Sequence, residues 1–224
     1  MVKKNFYAVK NGTKRGIFRT WEECKASVDG YPNAVFKGFA TLAEAEEYMG
    51  IAAEKTIPFK PGEELPLEGE LLAYVDGSHR ESANKYSFGC VFILPDGHIY
   101  TEFGNGDNPQ SLSQRNVTGE MLGAMYAVKT AMLNGFRAIE IRYDYEGIEN
   151  WVTGEWRSKT ELTQKYAQSM REWSHDISIT FTKVAAHTNV RYNELADSLA
   201  KKGLTEGNGI PKIKLFSDMT EYRE

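Results

Sequence analysis

The order in which the apolar periodicities change after Glu70 constrains the fold of this chain most. Runs rich in β-branched and aromatic residues predict strands at about 70–76, 86–94 and 98–104, with Pro95-Asp96-Gly97 turning the last two into a hairpin. A helical run follows over about 117–134 and closes at Asn134-Gly135. Next come a strand at 138–144, short helices near 146–153 and 160–173, a strand at 177–184, and a helix at about 192–202 ended by Gly203. Strands and helices in this order bury their apolar faces as a mixed α/β sheet with flanking helices. The mixed residues from Thr205 onward form a C-terminal tail (205–224) to which the pattern assigns no role.

Upstream, residues 51–69 carry Pro58, Pro61 and Pro66 and no sustained periodicity, so they read as a linker. Residues 1–50 form a second, smaller unit. A strand at 5–10 turns at Asn11-Gly12, and Gly16-Ile17-Phe18-Arg19 gives a second strand. Thr20, with Glu23 three residues on, caps a helix from Trp21 to Val28. A third strand at 34–39 leads to a helix capped by Thr41 with Glu44. The expected organisation is therefore a three-stranded α/β unit (1–50), a linker (51–69), a larger α/β unit (70–204) and the tail.

Charge separates the two units. The 224 residues carry a net charge of −4, which argues against general polyanion affinity. Residues 1–40, however, hold eight lysines and arginines against three acids, so a polyanion is expected at the amino-terminal end. Cys24 and Cys90 are far apart, which disfavours a disulfide framework or a zinc site and makes a reducing cytoplasm the expected setting. No apolar run spans a bilayer and no secretory signal is visible, so a membrane partner is not expected. The sequence shows no basis for a protein partner.

The chemistry lies in four acids. Asp76 ends the apolar run Leu71-Leu72-Ala73-Tyr74-Val75, and Asp144 ends the strand from Ala138. Glu120 opens the apolar run Met121-Leu122-Gly123-Ala124, and Asp197 lies in the last helix, four residues after Asn193 and on the same face. One acid at a strand end is ordinarily a solvated turn residue. Four in such contexts, with no cysteine among them, suit Mg²⁺ or Mn²⁺ far better than zinc and suit phosphoryl transfer.

The segments Val75-Asp76-Gly77-Ser78, Arg115-Asn116-Val117-Thr118-Gly119-Glu120, Tyr143-Asp144, Ala186-His187-Thr188-Asn189 and Asn193-Glu194-Leu195-Ala196-Asp197 resemble ribonuclease H of the type I class over about 70–203. The resemblance implies a five-stranded mixed sheet and cleavage of the RNA strand of an RNA–DNA hybrid with two metal ions, Mg²⁺ or alternatively Mn²⁺. It implies Asp76, Glu120, Asp144 and Asp197 as metal ligands. One ion would lower the pKa of the attacking water and the other would stabilise the leaving 3′ oxygen, giving 5′-phosphate and 3′-hydroxyl products. His187 would shuttle protons or aid product release. Gly77, Ser78, Asn116 and Thr118 become candidates for contacting ribose 2′-hydroxyls.

Phe6-Tyr7-Ala8-Val9, Thr20-Trp21-Glu22-Glu23-Cys24 and Phe36-Lys37-Gly38-Phe39 are similar to the hybrid-binding, viroplasmin-like domain of the eukaryotic type over about 5–49. That resemblance implies substrate contacts at Tyr7, Trp21, Phe36 and Lys37, with double-stranded RNA as a second candidate ligand. Five features depart from the two patterns: Gly38 replaces a frequent lysine, Tyr145 a common serine and Ala186 a usual glycine, the loop after Ser78 lacks the usual Gly-Asn-Pro-Gly composition, and 153–160 is too short for the basic insertion of many relatives. The competing readings are a non-catalytic hybrid- or double-stranded-RNA-binding protein and an exonuclease of the same superfamily. Retention of all four acids and His187 disfavours the first; the order of the acids disfavours the second.

Overall fold

The computed structural model describes residues 4, 6–18, 20–40, 42–49, 65–112, 114–184 and 190–223; the side chains at 42, 43, 46 and 47 are not among them. The chain divides into two compact units, 1–58 and 59–224.

In the first unit, β1 (Phe6–Asn11) lies between β2 (Gly16–Phe18) and β3 (Val35–Phe39) in an antiparallel sheet. Helix α1 (Trp21–Val28) starts at the expected capping box: the Glu23 amide donates to Thr20 Oγ1 and the Thr20 amide to the Glu23 carboxylate, each at 3.3 Å. Helix α2 spans Leu42–Met49. The proposed Thr41 cap lies outside the described residues, while Glu44 accepts from the Ala40 amide at 3.1 Å. Strand alternation sends Val9 towards Cys24 and Val28 of α1.

In the second unit the strands run in the order β6-β5-β4-β7-β8, namely Ile99–Gly106, Lys85–Ile93, Glu70–Arg80, Ala138–Tyr143 and Ser178–Lys183. In the first three, β5 is antiparallel to both β6 and β4; β4, β7 and β8 are parallel. A short α3 (Pro109–Leu112) precedes α4 (Asn116–Leu133), which crosses from β6 to β7. Then come α5 (Gly147–Thr153), α6 (Glu161–Trp173, capped by Thr160) and α7 (Arg191–Glu206). The core gathers Leu71, Ala73 and Val75 of β4, Phe88, Cys90 and Phe92 of β5, and Ala124, Ala127 and Ala131 of α4.

Two details differ from the sequence reading. Helix α7 runs through Gly203 instead of stopping there. That glycine allows close packing: a Cβ on it would lie 3.0 Å from both the Gly104 carbonyl and the Ser87 Cβ. The tail is also structural. Phe216 is buried against Phe92, Tyr100 and Phe136, and the Asn134 side chain brackets it, donating to Lys214 O at 3.1 Å and accepting from Phe216 N at 2.8 Å. Farther on, Tyr222 N donates to Ile99 O at 2.7 Å. Residues 51–64 of the expected linker lie outside the described residues, whereas its end is pinned by Arg137, which donates to Glu68 O at 2.9 Å.

Candidate active site

Register brings the first two acids together. The β4–β7 ladder ends on the pair Tyr74–Arg142, and two residues farther along each chain stand Asp76 and Asp144. They emerge side by side beyond the carboxyl end of the parallel pair, where open α/β sheets collect their ligands. The third acid comes from α4, which sits almost against the β4 backbone. A Cβ on Gly77 would lie 2.3 Å from Asn116 O and Glu120 N, and one on Gly119 would lie 2.0 Å from Ser87 O. Only glycine permits this approach. It leaves Glu120, fifth residue of α4, 2% exposed beneath the sheet edge. One carboxylate oxygen from each of Asp76, Glu120 and Asp144 lies within 4.8 Å of the others.

The cluster is electrostatically tense. Burial pushes the Asp76 carboxyl up to about 6; hydrogen bonds with Glu120 and the Gly77 amide oppose this, and the Asp144 and Asp197 charges reinforce it. The Gly77 amide bond to Asp76 Oδ1 is 2.6 Å. Burial and then the charges of Asp76 and Asp144 hold Glu120 well above the carboxylate range. Glu120 Oε2 is buried with no hydrogen-bond partner among the described residues. Three carboxylates this close, two of them buried, repel one another unless a proton or a cation intervenes. This all-oxygen donor set, with one lone oxygen aimed at nothing, fits a hard divalent cation.

Asp197 stands at the rim. It is not among the three clustered acids, although its charge acts on Asp76. Helix α7 is seated by Gly89, where a Cβ would lie 2.3 Å from Ala196 O, and by Ser87 Oγ, which donates to Ala200 O at 2.5 Å. Asn193, one turn before Asp197, is buried with Oδ1 unpartnered among the described residues. Lys201, one turn after it, pairs with Asp197 Oδ2 at 2.6 Å. His187 lies outside the described residues.

Gly77 and Ser78 continue β4 past Asp76, and Asn116 opens α4 nearby. Thr118 is buried and its hydroxyl donates to Ser111 O at 2.5 Å, so that group already serves the fold. Tyr145, directly after Asp144, packs on Trp151 and Trp156 with ring centroids 5.8 and 6.2 Å away. These rings, with Gln114, Arg157, Lys159 and Thr160, line a cleft of about 570 Å³. The sequence reading missed this cleft. Its signal was two tryptophans followed by Arg157 and Lys159 soon after a site aspartate.

In the first unit, Trp21 lies 5.6 Å from Tyr7 and 5.8 Å from Phe36, centroid to centroid. Trp21 and Phe36 remain 41% and 40% exposed, so they are not simply core. Lys37 faces the other side of the sheet. It pairs across from Ala8, and its ammonium lies 5.2 Å from the Phe39 ring and 5.9 Å from the Tyr48 ring.

A family model described as RNase H matches residues 68–205, more than half of the chain. The chain belongs to the ribonuclease H family. Ribonuclease H enzymes cleave RNA–DNA hybrids endonucleolytically, and the clustered carboxylates are consistent with metal catalysis of that reaction. A second family model, the ribonuclease H1 N-terminal domain, matches residues 5–49. Mouse (Mus musculus) ribonuclease H1 is 27% identical over 253 residues, covering 88% of each chain. A ribonuclease H of Saccharomyces cerevisiae is 48% identical over 46 residues, covering 20% of this chain and 13% of the yeast protein. The crystal structure of RNase H1 from Halobacterium salinarum matches with a TM-score of 0.51 at 27% identity, covering 60% of this chain and 97% of that one. A purely non-catalytic binding role for this ribonuclease H is not favoured.

Proposed function

We propose that this ribonuclease H hydrolyses the RNA strand of RNA–DNA hybrids with two divalent cations, Mg²⁺ in the first place and Mn²⁺ as a substitute. The observation that carries the proposal is the group of buried Asp76 and Glu120 with half-buried Asp144, one oxygen of each lying within 4.8 Å of the others. Bound ions would supply a water of lowered pKa and stabilise the leaving 3′ oxygen, giving 5′-phosphate and 3′-hydroxyl ends. Asp76 and Asp144, fixed by sheet register, hold the centre; Glu120 presents its partnerless oxygen to it; Asp197 completes the set from the rim. His187 takes the proton-shuttle or product-release role. Ser78, Asn116 and Gly77 would contact ribose hydroxyls.

Substrate grip divides between two surfaces. The half-exposed Tyr7–Trp21–Phe36 face offers stacking planes, and Lys37 holds a phosphate from the opposite side of the same strand. Double-stranded RNA is a second ligand for this unit. In the catalytic unit the cleft of Tyr145, Trp151, Trp156, Arg157 and Lys159 offers the same chemistry near the acids. We place the protein in a reducing cytoplasm, in keeping with two buried, unbridged cysteines.

The test is cleavage of an end-labelled hybrid in Mg²⁺, wild type against Asp144→Asn. The variant should lose roughly 10²–10³-fold in kcat, the scale for removing one charge-stabilising group. A wild type that binds hybrid but leaves it intact would refute the catalytic assignment.

A further inference from the structure

Lys201 lies one helical turn beyond Asp197, and its ammonium sits 2.6 Å from Asp197 Oδ2. Lys165–Glu161 and Lys202–Glu206 have the same spacing, but their acids are not among the four proposed ligands. The partner of Lys201 is one of the four, and the Asp76 carboxylate also attracts its ammonium. A carboxylate oxygen that accepts from an ammonium at this distance cannot offer the same lone pair to a metal ion.

We infer that Lys201 is a resident counter-cation of Asp197, which a divalent ion must displace to complete the site. The lysine thereby sets how much metal the enzyme needs. This rests on the reading of Asp197 as a ligand. The geometry suits displacement rather than permanent pairing. The Lys201 side chain is 63% exposed and Asp197 31%, so water screens the pair and the long flexible stem can swing clear. A divalent cation carries twice the charge and reaches two or more acids at once. Pairing with Asp197 also raises the Lys201 ammonium above its ordinary value, so it stays charged at neutral pH and the competition persists there. In this role Lys201 is a positioning residue: it acts through Asp197 on the affinity of the site for metal.

The test is titration of Mn²⁺ into the full chain by calorimetry, without substrate, for wild type, Lys201→Met, Lys201→Arg, Asp197→Asn and the Asp197→Asn/Lys201→Met double variant. Lys201→Met should bind Mn²⁺ about two- to fivefold more tightly, the scale of an exposed helical ion pair. Lys201→Arg should stay near wild type. In the Asp197→Asn background the lysine substitution should change nothing, because the carboxylate it competes for is gone. The Mg²⁺ concentration for half-maximal cleavage should shift with the calorimetric affinity. Unchanged or weaker Mn²⁺ binding by Lys201→Met, with Asp197→Asn clearly impaired, overturns the counter-cation role alone. Mn²⁺ binding that is indifferent to Asp197→Asn removes Asp197 from the ligand set and overturns both.

Discussion

At the scale of single residues, the site stores unfavourable charge. Asp76 has a carboxyl at about 6 in the fold against 3.8 in a free chain. Between these values the folded protein holds the extra proton, so stability falls as pH rises through the interval and stays low above it. Glu120 acts in the same direction. Asp76→Asn should therefore stabilise the protein at pH 8 in the presence of a chelator, by on the order of 1 kcal/mol or about 2–4 °C in Tm, while abolishing cleavage. At pH 4 the gain should be close to nothing. Melting curves at the two pH values decide it: equal gains at both would mean that shape, not charge, sets the effect. Asp76, Glu120, Asp144 and Asp197 were all legible in the sequence as candidates. The ion pair of Asp197 was less legible, because it depends on two exposed side chains meeting rather than on an apolar pattern.

At the scale of elements, the position of Glu120 depends on how closely α4 approaches β4. Gly77 and Gly119 remove the side chains that would hold the two apart. Gly77→Ala places a methyl group against backbone atoms that cannot rotate away, at 2.3 Å from Asn116 O and Glu120 N. It should destabilise the fold by about 2–3 kcal/mol. It should also lower kcat by about tenfold or more in the molecules that stay folded, because Glu120 moves with its helix. Urea midpoints and single-turnover rates measure the two effects separately. Wild-type values for both would show that the helix has room to give. The helix stop placed at Gly203 illustrates the limit of local reading. A glycine late in a helical pattern suits a terminus or a close contact equally well, and the Gly104 carbonyl behind it settles the matter.

At the scale of the molecule, the last twenty residues belong to the second unit. Phe216 fills an aromatic pocket made by Phe92, Tyr100 and Phe136, and Glu221 pairs with His98 at 2.5 Å. Phe216→Ala should cost about 3–5 kcal/mol, seen as a lower chemical midpoint with the cleavage chemistry intact at low temperature. No loss of stability would make the tail an ornament. The first unit carries the opposite expectation. Deleting residues 1–50 should leave the second unit folded but weaken hybrid binding at least tenfold and make cleavage more salt-sensitive, as the connection between units no longer raises the local substrate concentration. Equal affinity after truncation, read by fluorescence anisotropy, would remove the tether role.

The amino-acid sequence by itself determined the identity and order of the main elements (the short α3 excepted), the capping box at Thr20 and the four acids, because each is written in local periodicity or in a short motif. It could not determine which of those acids meet. That follows from the β4–β7 register, which sets residues 68 positions apart side by side, and from glycine contacts that show only when two backbones touch. Nor could it place Lys37, because Val35-Phe36-Lys37-Gly38-Phe39 has no clean alternation to separate the two faces of its strand. The tail remained unread for the same reason: Ile213, Leu215, Phe216 and Met219 make too short a run to set a period, and only the pocket waiting for Phe216 in the folded core gives it a place.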